Sequence, residues 1–389
     1  MNIETKLVQA SVKKDPTTGS LSTPIYQCAT FEHPGLGQST GFDYSRTANP
    51  TRKVLEEAIA SLEEGNAGFA FSSGMAAITA IFFLFKPGDH IVISDDLYGG
   101  TYRLLEETFK NYGITATYTN TCCLNDIQAA ITDHTAAIFI ETPTNPLMKI
   151  TDIEAVTKLA KEKGLLTIVD NTFLTPYLQK PILLGADIVI HSASKYLGGH
   201  NDVIGGLVVT ASPELSQKIG KVQNGAGSIL GPQDSWLLLR GMKTLAVRME
   251  QQQKNAIQIA EWLNKHELVK KVYYPSLASQ SDQDILKKQS KGFGAMLSFE
   301  VEDVALVAEL LGNVKIISFA ESLGGVESLI TYPTTQTHAD IPKEYREKIG
   351  LTDLLLRLSV GIENVDDLIA DLEQALEVSA KKLASNSVS

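Results

Sequence analysis

Lys195 has a setting unlike that of an ordinary surface lysine. It follows Ile188-Val189-Ile190, a β-branched run that predicts a buried strand, and the short segment His191-Ser192-Ala193-Ser194. Behind it come Tyr196, Leu197 and the pair Gly198-Gly199, and paired glycines let another segment approach the backbone closely. A lysine held in a desolvated pocket has a lowered pKa and becomes an amine that attacks carbonyls. The hydroxyls of Ser192 and Ser194 suit a phosphate ester. Asp170 ends a second apolar run, Leu165 to Asp170. A carboxylate there either caps the turn at Asn171-Thr172-Phe173 or faces a cation such as a protonated pyridine nitrogen. An amine, an acid and two hydroxyls at the ends of two strands together predict a pyridoxal phosphate (PLP) site. In open α/β sheets ligands gather outside the carboxyl ends of the strands.

Other residues offer compatible chemistry, each with a plainer alternative. Ser72-Ser73-Gly74-Met75 joins a strand to a helix, either as an ordinary cap or with the Gly74 and Met75 amides turned toward a phosphate. Tyr98 stands beside Gly99-Gly100, at a core edge or flat against a planar cofactor. Asn145, between Pro143 and Pro146, is expected to be extended, or to lie in a turn. Tyr44 and Arg46 supply a hydroxyl and a guanidinium fork for phosphate, or lie on the surface. Arg357 interrupts the apolar run LLLRLSVGI and needs an anion, either a ligand carboxylate or a neighbouring acid. Glu321 and Ser322 belong to the polar loop Ala320 to Ser328.

The elements that must position these groups alternate. Strands are predicted at Ala67–Phe71, Ile91–Ile93, Ala136–Ile140, Leu166–Val169, Ile188–Ile190 and Leu207–Thr210, with helices at 54–62, 74–85 and 153–162 between them. That order predicts an α/β domain, a mainly parallel sheet covered on both faces. Residues 1–50, rich in Thr, Ser, Pro and Gly, read as an N-terminal arm, 51–235 as the large domain and 236–389 as a smaller α+β C-terminal domain entered by one long helical stretch, Asp234 to Lys265. The C-terminal part is expected to hold strands at 269–273, 295–299 and 354–360 and helices at 304–311 and 365–384.

A chain of 389 residues with 43% hydrophobic content can bury a large core, and its net charge of −11 disfavours nucleic-acid and anionic-membrane partners. No apolar run approaches the roughly 20 residues of a membrane span. MNIETKLVQASVKKD has neither a signal-peptide nor a transit-peptide pattern, which predicts a cytoplasmic protein. Cys28, Cys122 and Cys123 form neither a disulfide framework nor a metal-ligand spacing, so no metal is expected.

Eight segments in order (YSRTANPTR at 44–52, SSGMAA at 72–77, DLYGGTYR at 96–103, ETPTNP at 141–146, VDNTF at 169–173, HSASKYLGGH at 191–200, ESLGGVESL at 321–329 and RLSVGIE at 357–363) make the chain resemble the PLP-dependent enzymes of cysteine and methionine metabolism. That family includes cystathionine γ-lyase, β-lyase and γ-synthase. The resemblance covers essentially the whole chain. It implies the aspartate-aminotransferase-like fold (fold type I) and a homotetramer built as a dimer of dimers. It implies PLP as an internal aldimine with Lys195, Asp170 at the pyridine nitrogen and Tyr98 stacked on the ring and able to accept the substrate amine proton. Gly74, Met75, Ser192 and Ser194 would hold the phosphate, with Tyr44 and Arg46 donated by the neighbouring subunit. Asn145, Ser322 and Arg357 would bind the substrate carboxylate, and Glu321 belongs with the substrate site. Ser194 replaces the family's more common threonine and keeps the hydroxyl. Gly100 stands where methionine γ-lyases typically carry cysteine, and Glu321 before Ser322 is similar to cystathionine γ-lyases and γ-synthases. The implied activity is cleavage of L-cystathionine, with γ-elimination prominent and β-elimination beside it; a β-lyase as the main activity, a γ-synthase and a catalytically inactive binding protein are the alternatives.

Overall fold

The computed structural model describes residues 1–10, 15 and 17–386. Seven strands form the first sheet: β1 (Ala67–Phe71), β2 (His90–Ser94), β3 (Thr115–Thr119), β4 (Thr135–Glu141), β5 (Leu166–Asp170), β6 (Ile188–Ser192) and β7 (Gly206–Thr210). Their order is β1-β7-β6-β5-β4-β2-β3. Neighbours from β6 to β3 run parallel, and β7 runs against both β6 and β1, so the sheet is mainly parallel. Its central strands, such as β2, β5 and β6, read as apolar runs because both faces are covered. Alternate residues feed two separate cores, Val92, Ile138 and Val189 on one face and Ile93, Phe139 and Ile190 on the other.

A second sheet of five strands is built from β8 (Val269–Tyr273), β9 (Met296–Val301), β10 (Ser318–Phe319), β11 (Leu329–Thr331) and β12 (Leu355–Ser359), in the order β10-β11-β12-β9-β8. The helical stretch expected from Asp234 to Lys265 is two helices, Pro232–Met242 and Leu245–Leu263. They are separated where the Thr244 hydroxyl turns back onto the Gly241 carbonyl and Arg248 donates to the same oxygen. These side chains take the place of helical backbone partners at the break.

The first 50 residues are not irregular throughout. Ile3–Gln9 is a helix that buries Ile3 and Leu7, while Ser11 to Lys14 and Pro16 of the expected arm lie outside the described residues. The arm ends at Asn49, whose side chain caps the helix Pro50–Glu63 by accepting from the Thr51 and Arg52 amides. Arg52, buried in that helix, donates to the Ser45 and Arg46 carbonyls and so fixes the end of the arm. Among the described residues no helix is long and apolar enough to cross a membrane.

Candidate functional site

A cavity of about 950 Å³ opens at the carboxyl ends of β4, β5 and β6, roofed by the 318–329 segment of the second sheet. Eleven of the thirteen residues singled out from sequence line it: Lys195, Asp170, Tyr98, Gly74, Met75, Ser192, Ser194, Asn145, Glu321, Ser322 and Arg357. Tyr44 and Arg46 do not. They lie on the surface, with the guanidinium over the Tyr44 ring and donating to Asn224.

Lys195 sits in a compact turn after β6, closed by Gly199 N donating to the Lys195 carbonyl at 2.7 Å. The turn needs its glycines. A Cβ at Gly199, where φ is +72°, would lie 2.1 Å from the Arg248 guanidinium, and Arg248 donates to the Tyr196 carbonyl. The Lys195 amine donates to Ser322 Oγ at 2.9 Å. Burial, then the nearby Arg357 charge, lowers its pKa to about 8, with Glu321 acting the other way.

Asp170 ends β5, one strand away. Its Oδ1 accepts from Thr172 N at 3.0 Å and Thr172 Oγ1 at 2.6 Å, so it does cap the turn. Its other oxygen has no partner among the described residues. The cap and a ligand cation are therefore compatible, one on each oxygen. Burial raises its pKa, and the Thr172 bonds work against that.

The helix Gly74–Phe82 is capped by Ser73 Oγ, which accepts from Ala76 N at 3.0 Å. The Gly74 and Met75 amides are left facing the cavity without a protein partner among the described residues, an anion-binding arrangement. Ser192 Oγ lies beside them, 3.0 Å from where a Gly74 Cβ would stand. The Ser194 hydroxyl is engaged with Gly205, from whose N–H it accepts at 3.0 Å.

Arg357 enters from β12. No acid lies within ion-pair distance among the described residues; instead the guanidinium donates to Asn145 Oδ1 at 3.0 Å, Ser322 O at 3.0 Å and Thr331 Oγ1 at 3.3 Å. Its Nε is buried without a partner. The neighbouring-acid alternative therefore fails: this is a cation held by neutral groups, poised for an anionic ligand. Burial lowers its pKa to about 10. Asn145 meets the second of its two expectations. It lies in a turn that Asp96 imposes by accepting from the Thr144 hydroxyl and from Leu147 N.

Three further groups were not singled out from sequence: Glu141 and Thr172 line the cavity, and His338 is buried behind Asn145. Glu141 carried the same signal as Asp170, an acid ending an apolar run. Thr172, two residues past an aspartate, is a common turn partner. His338 carried no signal: it lies in an irregular loop, donates from Nε2 to the Asn145 carbonyl at 3.0 Å, and is pushed down to about 4 by burial and by Arg357.

Unpartnered amides at a helix start, an unpartnered carboxylate oxygen, a desolvated amine and an uncompensated guanidinium together fit a phosphate-bearing aldehyde cofactor and an amino-acid carboxylate. Comparison with known proteins agrees. Cystathionine γ-lyase of Bacillus subtilis is 53% identical over 377 residues, covering 97% of this chain and 100% of the relative. Cystathionine β-lyase of Lactococcus lactis subsp. cremoris is also 53% identical, over 376 residues, 97% of this chain and 99% of the relative. The crystal structure of cystathionine γ-lyase from Lactobacillus plantarum complexed with L-serine matches with a TM-score of 0.95 at 52% identity, covering 97% of this chain and 99% of that one. The fold is thus the aspartate-aminotransferase-like fold type I. The model of the Cys/Met metabolism PLP-dependent enzymes matches residues 4–377, and the chain belongs to that family.

Proposed function

We propose that this protein is a carbon–sulfur lyase that cleaves L-cystathionine by α,γ-elimination to cysteine, 2-oxobutyrate and ammonia, with α,β-elimination as a second activity. The observation that carries this reading is the Lys195 amine donating to Ser322 Oγ at 2.9 Å, while the same residue's carbonyl accepts from Arg357, a guanidinium with no ion-pair partner among the described residues.

In this reading Arg357 and Asn145 hold the substrate carboxylate, with Ser322 and Glu321 beside it. Tyr98 would lie against the cofactor ring, and its side-chain oxygen, as the phenolate, would take a proton from the incoming ammonium. Lys195 Nζ then takes the Cα proton. PLP, when bound, supplies the sink for the electrons left at Cα. Asp170 offers its unpartnered oxygen to the cationic ring nitrogen. The Gly74 and Met75 amides, Ser192 and Ser194 hold the phosphate, and Tyr44 and Arg46 complete a neighbouring subunit's phosphate site in a homotetramer built as a dimer of dimers, working in the cytoplasm. For sulfur leaving Cγ, Lys195 must also move a Cβ proton; for sulfur leaving Cβ, the first transfer suffices. One base at several carbons means that substrate placement decides the product.

Gly100 speaks against a methionine γ-lyase, and Glu321 resembles the γ-lyases and γ-synthases, whereas some β-lyases carry an aromatic residue there. A relative named as a β-lyase stands at the same 53% identity, which favours keeping β-elimination as the second reading. Product analysis on L-cystathionine tests the choice. Cysteine with 2-oxobutyrate supports the proposal, homocysteine with pyruvate as the dominant pair replaces it with a β-lyase, and no cleavage at all would favour a synthase or an inactive binding protein.

A further inference from the structure

Glu141 ends β4, and the strand register sets it directly beside Asp170 at the end of β5. Two carboxylates on adjacent strands therefore line one cavity, but their partners differ. Asp170 receives two hydrogen bonds on one oxygen. Glu141 accepts the backbone N–H of Tyr98 on Oε2 at 3.2 Å, and its Oε1 has no partner among the described residues. No basic side chain lies within ion-pair distance of it there, and the charged groups that act on it are Asp170, Asp96 and, offering partial relief, Arg357. Lys195 and Glu321 share the same cavity.

Burial first, then Asp170 and Asp96, push the Glu141 carboxyl well above the usual carboxylate range. When two neighbouring acids have such unequal surroundings, one ionises and the other stays neutral. Asp170, with two donors on one oxygen, is the one served as an anion. Tyr98 is also held from its other side. A Cβ at Gly100 would lie 2.6 Å from Tyr98 Cε1, so the ring lies against Gly100 while Glu141 holds the backbone.

We propose that Glu141 is a positioning residue that works with its proton in place, fixing the Tyr98 backbone through Oε2 and offering a hydrogen-bond donor to the cavity beside Asp170. The inference rests on the proposed function, in which Tyr98 lies against the cofactor ring.

The test compares three holoenzymes: wild type, Glu141→Gln and Glu141→Leu. Gln keeps the shape, an acceptor and a donor but cannot ionise, whereas Leu fills similar volume without hydrogen bonds. The first readout is the pH midpoint of the cofactor's visible absorbance, taken without substrate. If Glu141 is neutral, Gln moves that midpoint by less than about 0.3 unit, whereas deleting a nearby negative charge would move it by about one unit. In turnover, Gln keeps kcat within about threefold, and Leu lowers kcat about tenfold or more with KM little changed. A midpoint displaced by about one unit in Gln overturns the proposal, as does a Leu enzyme that turns over like wild type. Should Leu not fold, the Gln variant still decides, because a Gln enzyme with normal midpoint and kcat supports the proposal and one with kcat lowered about tenfold overturns it. A wild-type enzyme with a normal midpoint that releases no sulfur product counts against the proposed function instead.

Discussion

Ser322 holds the Lys195 amine through its hydroxyl, at 2.9 Å, from a backbone with φ of +119°. Conformations in that region cost a non-glycine residue on the order of 1–3 kcal/mol. The carbonyl of the same residue takes a hydrogen bond from Arg357. Two basic side chains thus grip one strained serine. Ser322→Gly is expected to relieve the strain and leave the protein at least as stable as Ser322→Ala, while both lose the amine's acceptor and lower kcat about tenfold. Thermal midpoints and kcat for the pair check this; a Gly variant clearly less stable than the Ala variant would show that the backbone is not strained.

The Lys195 amine sets a second expectation, in pH. Only the free amine attacks an aldehyde, and with a pKa near 8 it is mostly ammonium at pH 6.5–7. The rate at which cofactor-free protein captures added PLP should therefore climb as pH rises through about 8 and then level off. Stopped-flow absorbance reads it directly. A rate still climbing tenfold per pH unit up to about 10 would mean that the lysine has an ordinary pKa.

Arg357→Lys keeps the charge and loses the fork. Asn145, Ser322 and Thr331 each receive a guanidinium proton, and an ammonium at the end of a different stem cannot serve all three while also binding a carboxylate. KM for cystathionine is expected to rise about tenfold or more, with kcat falling less. Steady-state kinetics with an unchanged kcat/KM would reduce Arg357 to a structural role.

Tyr44 and Arg46 lie outside the cavity of their own chain, which leads to a prediction about assembly. Lys195→Ala and Arg46→Ala proteins should each be inactive alone. Dissociated and reassembled together, they should regain activity, since a mixed dimer has one site carrying neither change. Mixed dimers that form but stay inactive would place the function of Arg46 within its own subunit.

Much of this was legible in the sequence because strand ends announce themselves. Parallel strands buried on both faces are plain apolar runs, so the polar residue that stops each one, Asp170 or Ser192, marks the cavity rim. Less visible was β3 (TATYT), an edge strand of alternating threonines without an apolar run, although its β-branched alternation was a usable signal. Nor could β10, two residues long, be read locally, since its pairing with β11 is what makes it a strand. The turn at Asn145 was one of two readings the neighbouring prolines left open. What holds it, Asp96, lies 49 residues away in sequence and could not be read locally. His338 is the extreme case, significant only because the fold brings it under the Asn145 carbonyl.

Gly324 has a wider effect. A Cβ there would lie 2.6 Å from the Tyr196 amide, so the roof loop of the second sheet rests directly on the turn that carries Lys195. The two halves of the molecule are thus in direct contact at the turn beside the cavity. Heating should therefore melt both sheets in one cooperative transition, and a protease cutting near Met242 should release no half that keeps its own structure.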